Sequence, residues 1–115
     1  MRYILILNAK GGSGKSTIAT NLASYYAQQG QNVLLADYDP QGSSWDWVSS
    51  RSPAYPSIQV VAGYADPVRP KRNTDIVIMD SPAGVYGNEL TKLLRRAETI
   101  LIPVIPSPID MRAAA

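Results

Sequence analysis

The sequence predicts an α/β domain: a mostly parallel, twisted sheet with helices on both faces. Three observations predict it. Apolar runs alternate along the chain with segments of helical spacing. The runs Tyr3–Leu7, Val33–Ala36 and Ile76–Met79 are apolar without interruption, as strands buried on both faces are. The resulting order, β-α-β-α-β-β-α-β, is that of a sheet wound by crossover helices.

Taken in order, Tyr3 to Leu7 is the first strand. Ser16 to Gln29 follows with helical spacing: Ile18, Leu22 and Tyr26 form one stripe, Ala19, Ala23 and Ala27 lie beside it, and Gly30 is a natural stop. Val33 to Ala36 is the second strand and ends at Asp37. A short helix from Ser43 or Ser44 carries Trp45, Trp47 and Val48. Ile58 to Val61 is a third strand, bracketed by Pro56 and Gly63, and Ala65 to Asn73, with two prolines, is a loop. Ile76 to Met79 is the fourth strand and ends at Asp80. Leu90, Leu93, Leu94 and Ala97 share one helix face, and Ile100 to Val104 is a fifth strand closed by Pro103, Pro106 and Pro108. In such sheets ligands bind beyond the C-terminal ends of the strands. Lys10, Asp37, Asp39 and Asp80 all follow strand ends, so they are expected to converge on one edge.

Composition narrows the chemistry. A chain of 115 residues, 45% of them hydrophobic, makes one domain with a core. It has no cysteine and no histidine, which excludes disulfides, thiolate zinc sites and thiolate-held iron–sulfur clusters. Any metal must be held by oxygen, which points to magnesium. The net charge of +2 permits contact with nucleic acid without announcing it. No apolar run is long enough to span a bilayer. The apolar start is too short for a signal peptide and leads into a glycine-rich loop.

That loop, Lys10-Gly11-Gly12-Ser13-Gly14-Lys15-Ser16-Thr17, carries the chemistry. A polyphosphate needs inward-pointing backbone N–H groups, no Cβ atoms in its way and a helix N-terminus behind it. Gly11, Gly12 and Gly14 supply the open backbone and the following helix supplies the dipole. Lys15 is placed to reach the β- and γ-phosphates, Ser16 to ligate Mg²⁺, and Thr17 to add a hydroxyl near the α-phosphate. Ala9 stands where the strict P-loop pattern has its first glycine.

The same loop resembles the deviant Walker A motif of the ParA/MinD family of ATPases, in which a second lysine precedes the glycines. Further segments match in family order. Asp37-Tyr38-Asp39-Pro40-Gln41-Gly42 is similar to the second box, and Trp47 stands where many partition ATPases carry an aromatic. Ile76 to Gly84 resembles the Walker B and switch II segment, and Leu101 to Pro108 the strand and loop that follow in the ParA branch. The resemblance implies that Lys10 reaches across a dimer interface to phosphates on the partner subunit, with ATP sandwiched between two chains. It implies that Asp39 positions the attacking water beside Mg²⁺, that Asp80 holds a water on Mg²⁺, and that Gly84 offers its N–H to the γ-phosphate. Asp37 is expected to support either Mg²⁺ or the loop.

Residues 1–115 are thus expected to form one P-loop ATPase domain, binding ATP and Mg²⁺ and hydrolysing ATP slowly under partner stimulation. The family function is an ATP-dependent dimerisation switch for plasmid or chromosome partitioning or cargo positioning. It is cytoplasmic, nucleoid-associated when ATP-bound, and stimulated by a ParB-like partner. Arg69, Lys71, Arg72, Lys92, Arg95 and Arg96 read first as ordinary solvated residues. Non-specific DNA contact is implied by the resemblance rather than by them. Relatives continue beyond the last strand, so the chain is expected to be the N-terminal portion of a longer family domain. Ile109 to Ala115 would open the next helix, and the last strand would show an exposed apolar edge. Two alternatives stay open: a MinD-like membrane-cycling regulator and a non-catalytic nucleotide-binding fragment. A small-molecule kinase or ligase on the same scaffold is a third, separated by substrate-dependent turnover.

Overall fold

The computed structural model describes residues 1–7, 15–82 and 87–103, with the backbone alone for Lys15, Ser16 and Thr17. Eight elements follow one another: β1 (Arg2–Ile6), α1 (Lys15–Gln28), β2 (Val33–Asp37), α2 (Ser43–Ser49), β3 (Gln59–Ala62), β4 (Ile76–Asp80), α3 (Gly87–Arg96) and β5 (Thr99–Leu101). The strands form one parallel sheet in the order β3-β2-β4-β1-β5.

Alternation along the strands builds two cores. Ile4 and Ile6 of β1, Val33 and Leu35 of β2 and Ile76 and Ile78 of β4 face one side, where they pack with Ala19, Ala23 and Ala27 of α1 and Val48 of α2. Leu5, Leu34, Ala36, Val77 and Met79 face the other side and meet Leu93 of α3. The expected helices on both faces are there. In α1 it is the alanine stripe that is buried, while Ile18, Leu22 and Tyr26 are half-buried at its margins. Small side chains let the helix axis approach the sheet closely, and the larger residues then fill the flanks. Gly30 ends this helix at φ 84, with its N–H on the Ala27 carbonyl at 3.1 Å. That left-handed conformation carries a steric penalty for residues with a Cβ.

Two elements differ from expectation. β5 is shorter than Ile100–Val104: its ladder with β1 pairs Ile4 with Thr99 and Ile6 with Leu101, and then stops. Pro103 has no N–H to continue it. Val104 and the expected helix over Ile109–Ala115 lie outside the described residues. On α3, Leu93 is buried and Leu90 is half-buried, as is Ala97 just past the helix end, but Leu94 is exposed, so the apolar face is narrower than its spacing suggested. The exposed edge expected on the last strand is present: Ile100, Leu101 and Ile102 are 44%, 36% and 61% exposed. Among the described residues no helix is long and apolar enough to cross a membrane.

Candidate functional site

The strand register puts the C-terminal ends of four strands at one level. Ile6 pairs with Asp80 and with Leu101, and Asp80 pairs with Asp37. The loop between β1 and α1 leaves this edge at Ile6. Asp37 and Asp80 end adjacent strands and are fully buried. Asp39 follows two residues beyond Asp37. The predicted convergence of Asp37, Asp39 and Asp80 on one edge is therefore seen. Lys10, Gly11, Gly12, Ser13 and Gly14, the side chains of Lys15, Ser16 and Thr17, and Gly84 lie outside the described residues.

Each aspartate has its own surroundings. Asp37 accepts the Asp39 N–H on Oδ1 at 3.0 Å and the Trp45 N–H on Oδ2 at 2.9 Å. The N-cap of α2 is Gly42, which has φ 70 and no side chain to cap with. The carboxylate of Asp37 supplies that cap from the neighbouring strand, satisfying an N–H that the helix cannot. Both hydrogen bonds support the loop, one of the two roles expected for Asp37. Asp39 organises the turn after it: Oδ1 accepts the Gln41 N–H at 3.0 Å and its carbonyl accepts the Gly42 N–H at 2.9 Å. Asp80 accepts the Ser44 hydroxyl on Oδ2 at 2.5 Å, and its carbonyl accepts the Tyr38 N–H at 2.9 Å.

Ser81 clasps the end of β1. Its N–H and its hydroxyl both donate to the Ile6 carbonyl, at 3.2 and 2.8 Å. The carbonyl just before the glycine-rich loop is thereby fixed from β4. Neither Ser44 nor Ser81 stood out in the sequence. A signal for Ser44 does exist: with Val48 it makes an i, i+4 pair on the buried face of α2.

Beside this edge lies a cavity of about 470 Å³, lined by Pro40 and Pro82 next to the two acidic segments and by Tyr38, Leu93, Lys92 and Arg96 among others. Tyr38 lies flat against Gly63, where an added Cβ would come within 3.0 Å of its ring. Burial pushes the Tyr38 phenol above its usual 10.0, and the nearby Arg96 guanidinium, donating to its oxygen at 3.4 Å, partly offsets this. Arg96 also stacks on Tyr3 at 5.4 Å, tying α3 to β1. On the other side of α2, Trp47 and Tyr55 flank the Arg51 guanidinium at 5.3 and 5.2 Å.

The donor set suits a hard cation and phosphates. The side-chain groups are carboxylates and hydroxyls, without imidazole or thiolate. Among the described residues no group of three or more acidic side chains is placed to hold a metal.

A family model described as the CobQ/CobB/MinD/ParA nucleotide binding domain matches residues 4–110. The chain is 36% identical over 118 residues to the maintenance of carboxysome distribution protein A of Halothiobacillus neapolitanus, covering 96% of this chain and 54% of that protein. It is 48% identical over 52 residues to the chromosome-partitioning ATPase Soj of Thermus thermophilus, covering 45% of this chain and 21% of Soj. The fold is similar to that of the cobyrinic acid a,c-diamide synthase of Mycobacterium smegmatis, solved with bound ADP and magnesium: TM-score 0.68, 20% identity, 90% of this chain and 60% of that one. The chain spans about half the length of the carboxysome-distribution protein it matches.

Proposed function

Since the chain belongs to the CobQ/CobB/MinD/ParA nucleotide-binding domain family, we propose that it acts as a ParA-type, magnesium-dependent ATPase that positions DNA or another cargo. The observation that carries this reading is the Asp37–Asp80 pairing at the strand ends, level with Ile6 at the end of β1, the strand that precedes the Lys10–Thr17 loop in sequence. Similarity to a carboxysome-distribution protein over nearly the whole chain, and to Soj over 52 residues, supports cargo or chromosome positioning.

The roles follow from the residues. Gly11, Gly12, Ser13 and Gly14 present backbone N–H groups to the phosphates, and Lys15 and Thr17 contact them with side chains. Ser16 and Asp80 hold the magnesium side, Asp80 through a water. When bound, the ion neutralises charge on the phosphate oxygens. Asp39, on a turn stiffened by Pro40 and by its own hydrogen bond to the Gln41 N–H, orients the attacking water. Phosphoryl transfer needs such orientation more than it needs a strong base. Asp37 holds the Asp39 turn and α2 in place. Gly84 senses the γ-phosphate, and its release after hydrolysis resets the switch. Lys10 completes the site of a second copy, so that ATP drives dimerisation. The dimer binds DNA non-specifically, and a ParB-like partner stimulates hydrolysis.

The test is phosphate release by the full-length protein with and without magnesium and DNA, alongside its oligomeric state with a non-hydrolysable ATP analogue. ATP-dependent dimerisation that Lys10→Ala abolishes is the expected result. Dimerisation indifferent to ATP would sink the switch, and dimerisation indifferent to Lys10→Ala would sink the shared site.

A further inference from the structure

We propose that Ser44 is a positioning residue for the Asp80 carboxylate, linking the magnesium side of the site to the turn that carries Asp39. The inference rests on the reading of Asp80 given above. Ser44 is fully buried in the first turn of α2, and its hydroxyl donates to Oδ2 of Asp80 at 2.5 Å across 36 positions of chain. A buried hydroxyl is costly unless bonded. Where packing alone is at stake this fold uses alanine, as at Ala19, Ala23 and Ala27 of α1. The hydroxyl of Ser44 does what a methyl group could not: it gives the Asp80 carboxylate a hydrogen bond that favours one plane of a torsion that is broad in aspartates generally.

Ser44 is itself held. Gly42 starts the helix in a left-handed conformation, and the next residue, Trp45, has its N–H on Oδ2 of Asp37. The first turn of α2 is therefore attached twice to the strand ends, by its backbone to β2 and by a side chain to β4. The Asp39 turn, residues 38–42, is the chain that joins these anchors. Through Ser44, the orientation of Asp80 and the placement of Asp39 become one property of α2.

Groups that orient metal-site carboxylates are typically worth 10–100-fold in metal affinity, and one acting at a water's remove should give about tenfold. The experiment uses the full-length protein and titrates magnesium against the affinity for a non-hydrolysable ATP analogue, read by calorimetry. Ser44→Ala is expected to raise the half-saturating magnesium concentration about tenfold and to leave magnesium-free affinity unchanged. Ser44→Thr, which keeps the hydroxyl, should restore most of the loss. In an Asp80→Ala background Ser44→Ala should add nothing, because its effect passes through that carboxylate. A Ser44→Ala protein that loses thermal stability but keeps its magnesium dependence within about twofold would overturn the proposal. So would an equal effect in the Asp80→Ala background. If the parent protein binds the nucleotide equally well without magnesium, the reading of Asp80 itself fails and this inference with it. That outcome differs from the others because the unmutated protein already gives it.

Discussion

Asp37 and Asp80 are direct partners across the β2–β4 ladder, both fully buried, yet their carboxylates face different tasks. Asp37 accepts two backbone N–H groups and so holds the shape of the loop. Asp80 takes a serine hydroxyl instead. Substitution should therefore separate them. Asp37→Ala strands two part-buried N–H groups and is expected to destabilise the fold by about 1–3 kcal/mol, seen as a lower urea midpoint. Asp80→Ala should slow magnesium-dependent ATP hydrolysis at least about 100-fold. Asp80→Ala also strands the Ser44 hydroxyl, so hydrolysis is the distinguishing readout: an equal loss of turnover per folded molecule in both variants would contradict this division.

Asp39 lies on the turn between these anchors, its N–H on the Asp37 carboxylate and its own carboxylate on the Gln41 N–H. Asp39→Ala should leave nucleotide affinity within about threefold while lowering turnover about 100-fold or more, so that the protein accumulates in its ATP-bound form. Single-turnover phosphate release alongside equilibrium nucleotide binding distinguishes this from a binding defect.

Gly63 is there for the sake of Tyr38. A methyl group at Gly63 would meet the Tyr38 ring at 3.0 Å. Gly63→Ala should displace that ring, at a cost of about 1–3 kcal/mol. The accompanying loss of the Arg96–Tyr38 contact should be visible as a shift of the Tyr38 ring resonances. An unperturbed Tyr38 spectrum in the variant would mean that the ring has room to move.

The raised pKa of Tyr38 gives stability an alkaline limb. Below the usual value of 10.0 the phenol is protonated in both folded and unfolded chains, and pH has no effect through it. Above it the unfolded chain releases the proton more readily, so stability falls as pH rises towards the folded-state value. Tyr38→Phe should flatten this limb. Urea midpoints at about pH 9 and pH 11 for the two proteins provide the comparison, and equal slopes would exclude Tyr38 as the cause.

What could be read before folding follows from which side chains carry a pattern. β1, β2 and β4 are buried on both faces, so their apolar runs were unmistakable, and the aspartates at two of their ends were conspicuous by contrast. The convergence of Asp37, Asp39 and Asp80 came from a rule about sheet edges and needed no coordinates. The parts that escaped are polar residues inside the core. Ser44 and Ser81 look like surface residues in the sequence, and only the register that brings β4 between β1 and β2 gives their hydroxyls partners. The Tyr38–Gly63 contact joins two strand ends and has no local signature. β5 was overestimated because its apolar run continues through Ile102 and Pro103, although the ladder with β1 stops at Leu101.

The strand order has a consequence for how the protein comes into being. β1 is synthesised first but lies between β4 and β5, which are made much later. Until Ile76–Asp80 has left the ribosome, the strand that leads into the phosphate loop has no neighbour to hold it. Such late, long-range pairing slows folding, because chain closure must precede the contacts that reward it. A nascent chain thus displays its glycine-rich segment long before it can grip a nucleotide. A nucleotide that binds the folded domain and not the open chain draws the balance towards the closed sheet.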